Sequence, residues 1–332
     1  MNDKNQLAPW IRRFLLEHMV AERNFSHNTQ ASYRDTLTLL LPFAAKLGGL
    51  AIDRMMVDDI SPAIVRQFLD HVEHDRHCGG ATRNLRLSAI HSLARFIGMH
   101  SPVHLSWCSE VRLIPFKKTS KTLIGYLEKP EMDALLIAPN RQTAMGARDY
   151  ALLLFLYNSG ARADEAAKLT IGRLKLNEPA SVRILGKGNK PRVCPLWPAT
   201  SGVLSKLVAG RNTGDTVFLG RTNQPMTRFG IHRIVTHYGE LASKSILTIK
   251  DKRISPHSIR HTTAVHLLRA GVDINTIRAW LGHVSLDTTH IYAEVDLEMK
   301  AKALASVDIS GLPAALRRSI ALPSLMAFLK HI

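Results

Sequence analysis

The sequence predicts a mainly α-helical fold with a small β-sheet or hairpin, an α+β class, divided between two domains. Three observations carry that expectation. The chain is 332 residues long, long for one compact domain and comfortable for two. Its first third shows apolar residues recurring at helical spacing. Further on, "SVRILGKGNKPRVCPL" alternates as strand, turn, strand, with Gly-Lys-Gly-Asn at the turn.

The elements follow in order. "SHNTQASYRDTLTLLLPFAAKLG" opens with the capping residues Ser26, Asn28 and Thr29 and places Tyr33, Leu37 and Leu41 on one face. "SPAIVRQFLDHVEH" has a Ser-Pro helix start. "ATRNLRLSAIHSLARFIGMH" turns Ile90, Leu93 and Ile97 inward and leaves Arg83, Arg86 and Arg95 as a basic contribution. Those arginines read equally as a solvated face or a DNA-facing one. Near residue 116 the pattern breaks. "FKKTSKT" is short, polar and basic and reads as an interdomain linker, whose Lys117, Lys118 and Lys121 suit a phosphate backbone. Beyond it, "DYALLLFLYNSG" is a buried helix stopped by Asn-Ser-Gly. "HSIRHTTAVHLLRAG" and "DINTIRAWLG" are helices ended by glycine. The expected domains are a helical one over 1–116, a linker over 117–122, a larger mixed one over 123–310, and a tail over 311–332.

Composition narrows the partners. Hydrophobic residues at 45% and charged ones at 21% are ordinary for a globular chain. The charge is not: 44 Lys and Arg against 27 Asp and Glu give +17, a field whose commonest partner is a polyanion. Nucleic acid fits best, with an anionic membrane as the rival. No apolar run approaches the ~18 residues of a spanning helix, and "MNDKNQLAPWIRRFLLEH" is too charged for a secretory signal. Cys78, Cys108 and Cys194 are far apart and odd in number, suggesting neither a disulfide framework nor a cysteine-rich zinc site. The expected setting is a reducing cytoplasm, away from any membrane.

Several residues stand out. Ser255 can cap a helix whose first position suits Pro256, placing His257 in the first turn where an anion is favoured. Arg260 lies three residues on, on the same face; alone, the pair reads as a surface pair. His257 and His261 have a metal-friendly spacing, but no glutamate sits where a metalloprotease base would be, so no metal is expected. In "LYNSGARADEAAKLT", Gly160 ends one helix, Asp164 is read as the cap of the next, and Arg162 sits in the turn, free for a ligand or for a bridge to Glu165 or Asp164. Lys187 occupies a Gly-Lys-Gly turn without the spacing of a phosphate-binding P-loop. In "LGHVSLDTTHIYAEVD", Tyr292 has polar neighbours at i−4 and i+4, Thr288 and Asp296, so core packing explains it poorly.

Arg162 in "SGARADE", Lys187 in "GKGNKPR", "HSIRH" at 257–261, "LGH" at 281–283 and Tyr292 in "THIYAEV" occur in an order that resembles the tyrosine recombinases of the phage integrase family. The likeness covers nearly the whole chain. It implies a helical, SAM-like core-binding domain and a catalytic domain that together form a C-shaped clamp on double-stranded DNA. It implies that Tyr292 attacks a phosphodiester to give a 3′-phosphotyrosine, with Arg162 and Arg260 clamping the phosphate. Lys187 would protonate the leaving 5′-oxygen, His257 would act as base, His283 would donate to the phosphate and Glu165 would support the site. No cofactor is implied, since the phosphotyrosine conserves the energy of the broken bond. The family usually has serine where this chain has Asp164. The resemblance further implies four protomers on two DNA sites, monomers or dimers when free, with room for a second recombinase or an accessory protein and a tail that docks on a neighbour or folds back. Two rivals are a non-catalytic regulator using "AGVDINTIRAWLGHVS" as a helix-turn-helix, with Ile277 and Leu281 as its apolar face, and a topoisomerase of the same chemistry.

Overall fold

A computed structural model describes residues 5–119, 125–186 and 189–282. The chain forms two compact units, dividing between residues 122 and 123. The architecture is mainly helical with one small sheet.

The first unit is all-helical among its described residues. α1 (Leu7–Arg13) leads into a π-helical stretch (Phe14–Glu22). α2 (His27–Gly48), α3 (Pro62–His74), α4 (Gly80–His100) and α5 (Leu105–Arg112) follow. Ser26 caps α2 by accepting from the Thr29 N–H, and Ser61 caps α3 by accepting from Ile64, with Pro62 in the first turn. These caps satisfy N–H groups that a helix start leaves bare. α4 packs against α2, α3 and α5, and its Leu87, Ile90, Leu93 and Ile97 are buried with Leu37, Leu40 and Phe68. Tyr33 and Leu41 pack at the edge of that core.

The basic contribution of α4 needs correcting. Arg95 is exposed, but Arg83 is 6% exposed. Its Nη1 donates to the Pro115 carbonyl at 2.8 Å. Asn84 takes the next turn of chain from both sides, donating to the Lys117 carbonyl at 2.8 Å and accepting from its N–H at 3.0 Å. The first residues of the expected linker are therefore fastened to α4, and Arg83 faces inward because it is one of the fasteners.

The second unit is built on α7 (Ala144–Ser159), whose Leu152, Leu153, Phe155 and Leu156 are fully buried. α6 (Lys129–Ile137), α9 (Pro198–Val208) and α11 (Pro256–Arg269) pack on it. α8 (Ala163–Ala167), α10 (Arg228–Ser243) and α12 (Ile274–Leu281) complete its described helices. A three-stranded antiparallel sheet runs in the order β1 (Leu174–Lys175), β2 (Ser181–Leu185), β3 (Pro191–Pro195). β2 and β3 are the expected hairpin. β1, at two residues, is too short to show alternation and was not expected. Val182 lies opposite Cys194 and Ile184 opposite Arg192, and all four are buried. An arginine thus occupies an inward-facing strand position, while its neighbour Val193 is 65% exposed.

Candidate active site

α7 ends at Gly160, which adopts the left-handed conformation at φ +59°. Thr263 Oγ1, from α11, donates to the Tyr157 carbonyl in the last turn of α7. The chain turns through buried Ala161 into α8, whose N-cap is Arg162. The cap comes from Glu165, not from Asp164 as expected: the Arg162 N–H donates to Glu165 Oε2 at 2.9 Å. Asp164 lies inside the first turn, where its carboxylate pairs with Lys168 at 2.8 Å. Its charge is accordingly engaged with Lys168, while Arg162 engages Glu165.

α11 begins as the sequence suggested. Ser255 accepts from the Ser258 N–H, and Pro256 follows in the first turn. This start places His257 at the surface and Arg260, 2% exposed, one turn deeper. Arg260 Nη1 donates to the Gly160 carbonyl and Nη2 to the Leu281 carbonyl, both at 2.6 Å. Those carbonyls close α7 and α12, so a buried cation meets the negative ends of two helices. Ile277 and Leu281 of α12 are buried against α11, as the apolar face implied.

Arg162, His257 and Arg260 line one cleft of about 530 Å³, together with Arg228, Phe229 and His232 from the start of α10. Arg162 is accessible: its side chain is 42% exposed, and Nη1 donates to Glu165 Oε1 at 2.8 Å. Its other guanidinium N–H groups have no partner among the described residues. His257 is held below its ordinary pKa, first by partial burial and then by the charges of Arg260 and Arg162. A neutral imidazole at neutral pH follows. The His257 and His261 rings meet edge to face at 4.1 Å.

Sequence reasoning missed Arg192. Its Nη2 donates to Glu165 Oε2 at 2.7 Å and its Nε to the Trp280 carbonyl at 2.9 Å. Glu165 is thus shared by two guanidinium groups. Burial pushes its pKa up, but the hydrogen bond and charge of Arg192, with the bonds from Arg162, outweigh burial and hold it below the usual glutamate value. The signal was in "PRVCPL": alternation that buries Cys194 also turns Arg192 inward. Phe229 was missed as well. It is 70% exposed at the cleft rim, with the Arg228 guanidinium 4.7 Å above its ring.

The remaining expected residues are distributed as follows. Lys187, His283, Tyr292 and Lys121 lie outside the described residues. Arg86 is half-buried and donates to Thr36 Oγ1 at 3.1 Å, tying α4 to α2. Lys117 pairs with Glu73 at 2.6 Å. Lys118 is exposed and makes no ion pair among the described residues. Among the described residues no helix is long and apolar enough to cross a membrane, and no group of three or more His, Cys, Asp or Glu could hold a metal ion.

A mainly helical unit in which three arginines and two histidines line a solvent-open cleft offers an anion a positively charged surface. Comparison with known proteins gives the family. Residues 125–299 match the pattern described as the phage integrase family, and residues 11–98 the phage integrase N-terminal SAM-like domain. A candidate integrase/recombinase (y4rC) of Sinorhizobium fredii is 36% identical over 307 residues, 92% of each chain. Tyrosine recombinase XerD of Yersinia pestis is 34% identical over 305 residues, 89% of this chain and 95% of the relative. In fold, the chain is similar to XerH site-specific recombinase bound to a palindromic difH substrate in a post-cleavage complex. That likeness has a TM-score of 0.65 at 20% identity, over 86% of this chain and 81% of the other. The chain belongs to the phage integrase family, the tyrosine recombinases, and is a DNA strand transferase.

Proposed function

We propose that this recombinase cuts and rejoins double-stranded DNA with Tyr292 as nucleophile, Arg162 and Arg260 as the phosphate clamp, and His257 as the base that takes the phenolic proton. A phenol near pKa ~10 needs such a base at neutral pH. Charge on the non-bridging oxygens grows toward the pentavalent transition state, so guanidinium groups stabilise it more than the ground state. Lys187 protonates the departing 5′-oxygen, His283 donates to the phosphate, and Glu165 holds Arg162. Attack by a 5′-hydroxyl on the phosphotyrosine reverses the step with no net loss of ester bonds, so neither nucleotide nor metal is needed to drive it. Four protomers on two sites, acting in the cytoplasm, would exchange strands; Arg86, Lys117, Lys118 and Lys121 contribute to the DNA-binding surface.

The observation that carries this reading is the cleft where Arg162, His257 and Arg260 meet. An argument by elimination supports the nucleophile. The chain has six tyrosines, and none of the five described ones lines that cleft. Tyr157 is buried, bonded to His266 and pushed up to about 12 by burial. Tyr238 donates to Asp149 and is pushed up to about 12 by burial and that carboxylate. Tyr126 and Tyr150 lie under Arg269 and Arg141, and Tyr33 packs in the first unit. Tyr292 remains. The test is a duplex nicked just 3′ of the scissile phosphate in the chain's own recombination site. Wild type should accumulate a covalent adduct, and Tyr292→Phe should bind equally without forming one. An adduct on the Phe variant would defeat the assignment, and a wild type that binds without reacting would return the chain to the regulator reading.

A further inference from the structure

We infer that Arg192 is a positioning residue for strand transfer, setting the charge and direction of the Arg162 clamp through Glu165 without touching DNA. The inference rests on the proposed roles of Arg162 and Tyr292.

Arg192 sits where β3 should offer the core an apolar side chain. Burying a guanidinium there is costly, and a well-packed hydrophobic residue would often stabilise the fold as much. The arginine is instead committed to two bonds that matter to the cleft. One goes to the Glu165 oxygen that also accepts the Arg162 N–H, while the other Glu165 oxygen holds Arg162 Nη1. The second goes to the Trp280 carbonyl, one residue before the carbonyl that holds Arg260. Arg192 Nη1 is buried without a hydrogen-bond partner among the described residues, so the side chain is not placed there merely to satisfy its own donors.

The surroundings pack closely on this arrangement. Gly282 has φ +66°, and a Cβ on it would lie 3.1 Å from Arg192 Cδ. A Cβ on Gly186, at the root of the hairpin, would lie 3.6 Å from Glu165 Oε1 and 3.7 Å from Arg192 Nη1. The Arg192–Glu165 pair therefore lies where the hairpin root, the end of α12 and the Arg162 turn meet.

The electrostatic consequence is specific. A carboxylate shared between two guanidinium groups neutralises each only in part. Without Arg192, both Glu165 oxygens are available to Arg162, whose pull on a phosphate falls as the pairing tightens. DNA binding relies on many contacts and should change little; the chemical step should suffer.

The test is single-turnover cleavage of the nicked substrate at saturating DNA, using full-length protein. Arg192→Met should cleave about 100-fold more slowly, the scale of losing one transition-state donor, with affinity altered less than about threefold. A methylphosphonate at the scissile position, which removes the charge the clamp serves, should be cleaved by Arg192→Met within about tenfold of wild type. Adding Glu165→Gln to Arg192→Met should recover about tenfold on the ordinary phosphodiester, because the excess carboxylate charge is gone. If Arg192→Met does not fold, Arg192→Gln carries the same comparison, since a neutral amide keeps polar contacts while removing the charge shared with Glu165. Equal losses on both substrates with no recovery in the double variant would reduce Arg192 to a structural role, and undiminished cleavage would overturn the inference outright. Failure of wild type to form the adduct would count against the proposed function instead.

Discussion

Gly160 and Gly210 both adopt the left-handed conformation, at φ +59° and φ +75°, yet their surroundings differ. A Cβ on Gly210 would meet nothing within 4 Å, whereas one on Gly160 would fall well inside van der Waals contact of Leu281 Cδ2. Gly210→Ala should therefore cost only the left-handed penalty, about 1–2 kcal/mol. Gly160→Ala carries the same penalty plus that of forcing a methyl into a filled site, about 1–3 kcal/mol, for a sum of about 2–5 kcal/mol. Leu281 cannot yield freely, because its carbonyl, like that of Gly160, accepts from Arg260. Denaturant unfolding of the two variants and wild type, followed in parallel, measures the difference directly. Adduct formation on the nicked duplex, well below the melting temperature, should fall for Gly160→Ala and not for Gly210→Ala. Equal destabilisation within about 0.5 kcal/mol would refute the claim that Gly160 is required by the approach of α12 and not by its turn alone.

Two further predictions concern charge. His257 is held below its ordinary value of 6.5 partly by Arg162. Its base form should persist below that pH, so cleavage is lost only as pH falls through the lowered value, and Arg162→Ala should raise the titration of the His257 ring protons in NMR; an unchanged or lower value would contradict the cause assigned. In the first unit, Lys118→Ala should reduce the log–log salt slope of DNA binding by about 0.9, one phosphate's share. Arg83→Met should leave the slope alone and cost about 1–3 kcal/mol of stability through the bond lost to Pro115. A reversal of those two effects would restore Arg83 as an outward cation.

Much of the framework was legible because it rests on local rules. Ser26, Ser61 and Ser255 cap helices, Gly160 and Gly282 end them, and the 3.6-residue period buries Leu37, Ile90, Leu93 and Ile97. Local rules also misled. Asp164 is as good a cap in isolation as any residue of its turn, but Glu165 reaches back to the Arg162 N–H and takes the position. Arg83 reads as an exposed helix cation until Pro115, 32 residues later, returns to accept from it. No periodicity brings Arg162 within reach of His257 and Arg260; the family resemblance suggested that meeting, and the packing of α7 on α11 produces it. Arg192 was the avoidable omission, since strand alternation had already turned it inward.

The charge around the cleft explains why such a costly arrangement is kept. Arg162 and Arg192 share one carboxylate, Glu165, while Asp164 is engaged by Lys168. Arg260 donates to the carbonyls at two helix ends, and the first turn of α11 adds its own positive end beside His257. An excess of fixed positive charge in a half-enclosed cleft destabilises the protein alone and is relieved by an anion whose charge grows during reaction. A cluster selected for stability would add a second carboxylate, and that carboxylate would compete with the phosphate. The sharing of Glu165 is the intermediate solution: enough negative charge to hold Arg162 and Arg192 in place, and too little to satisfy them.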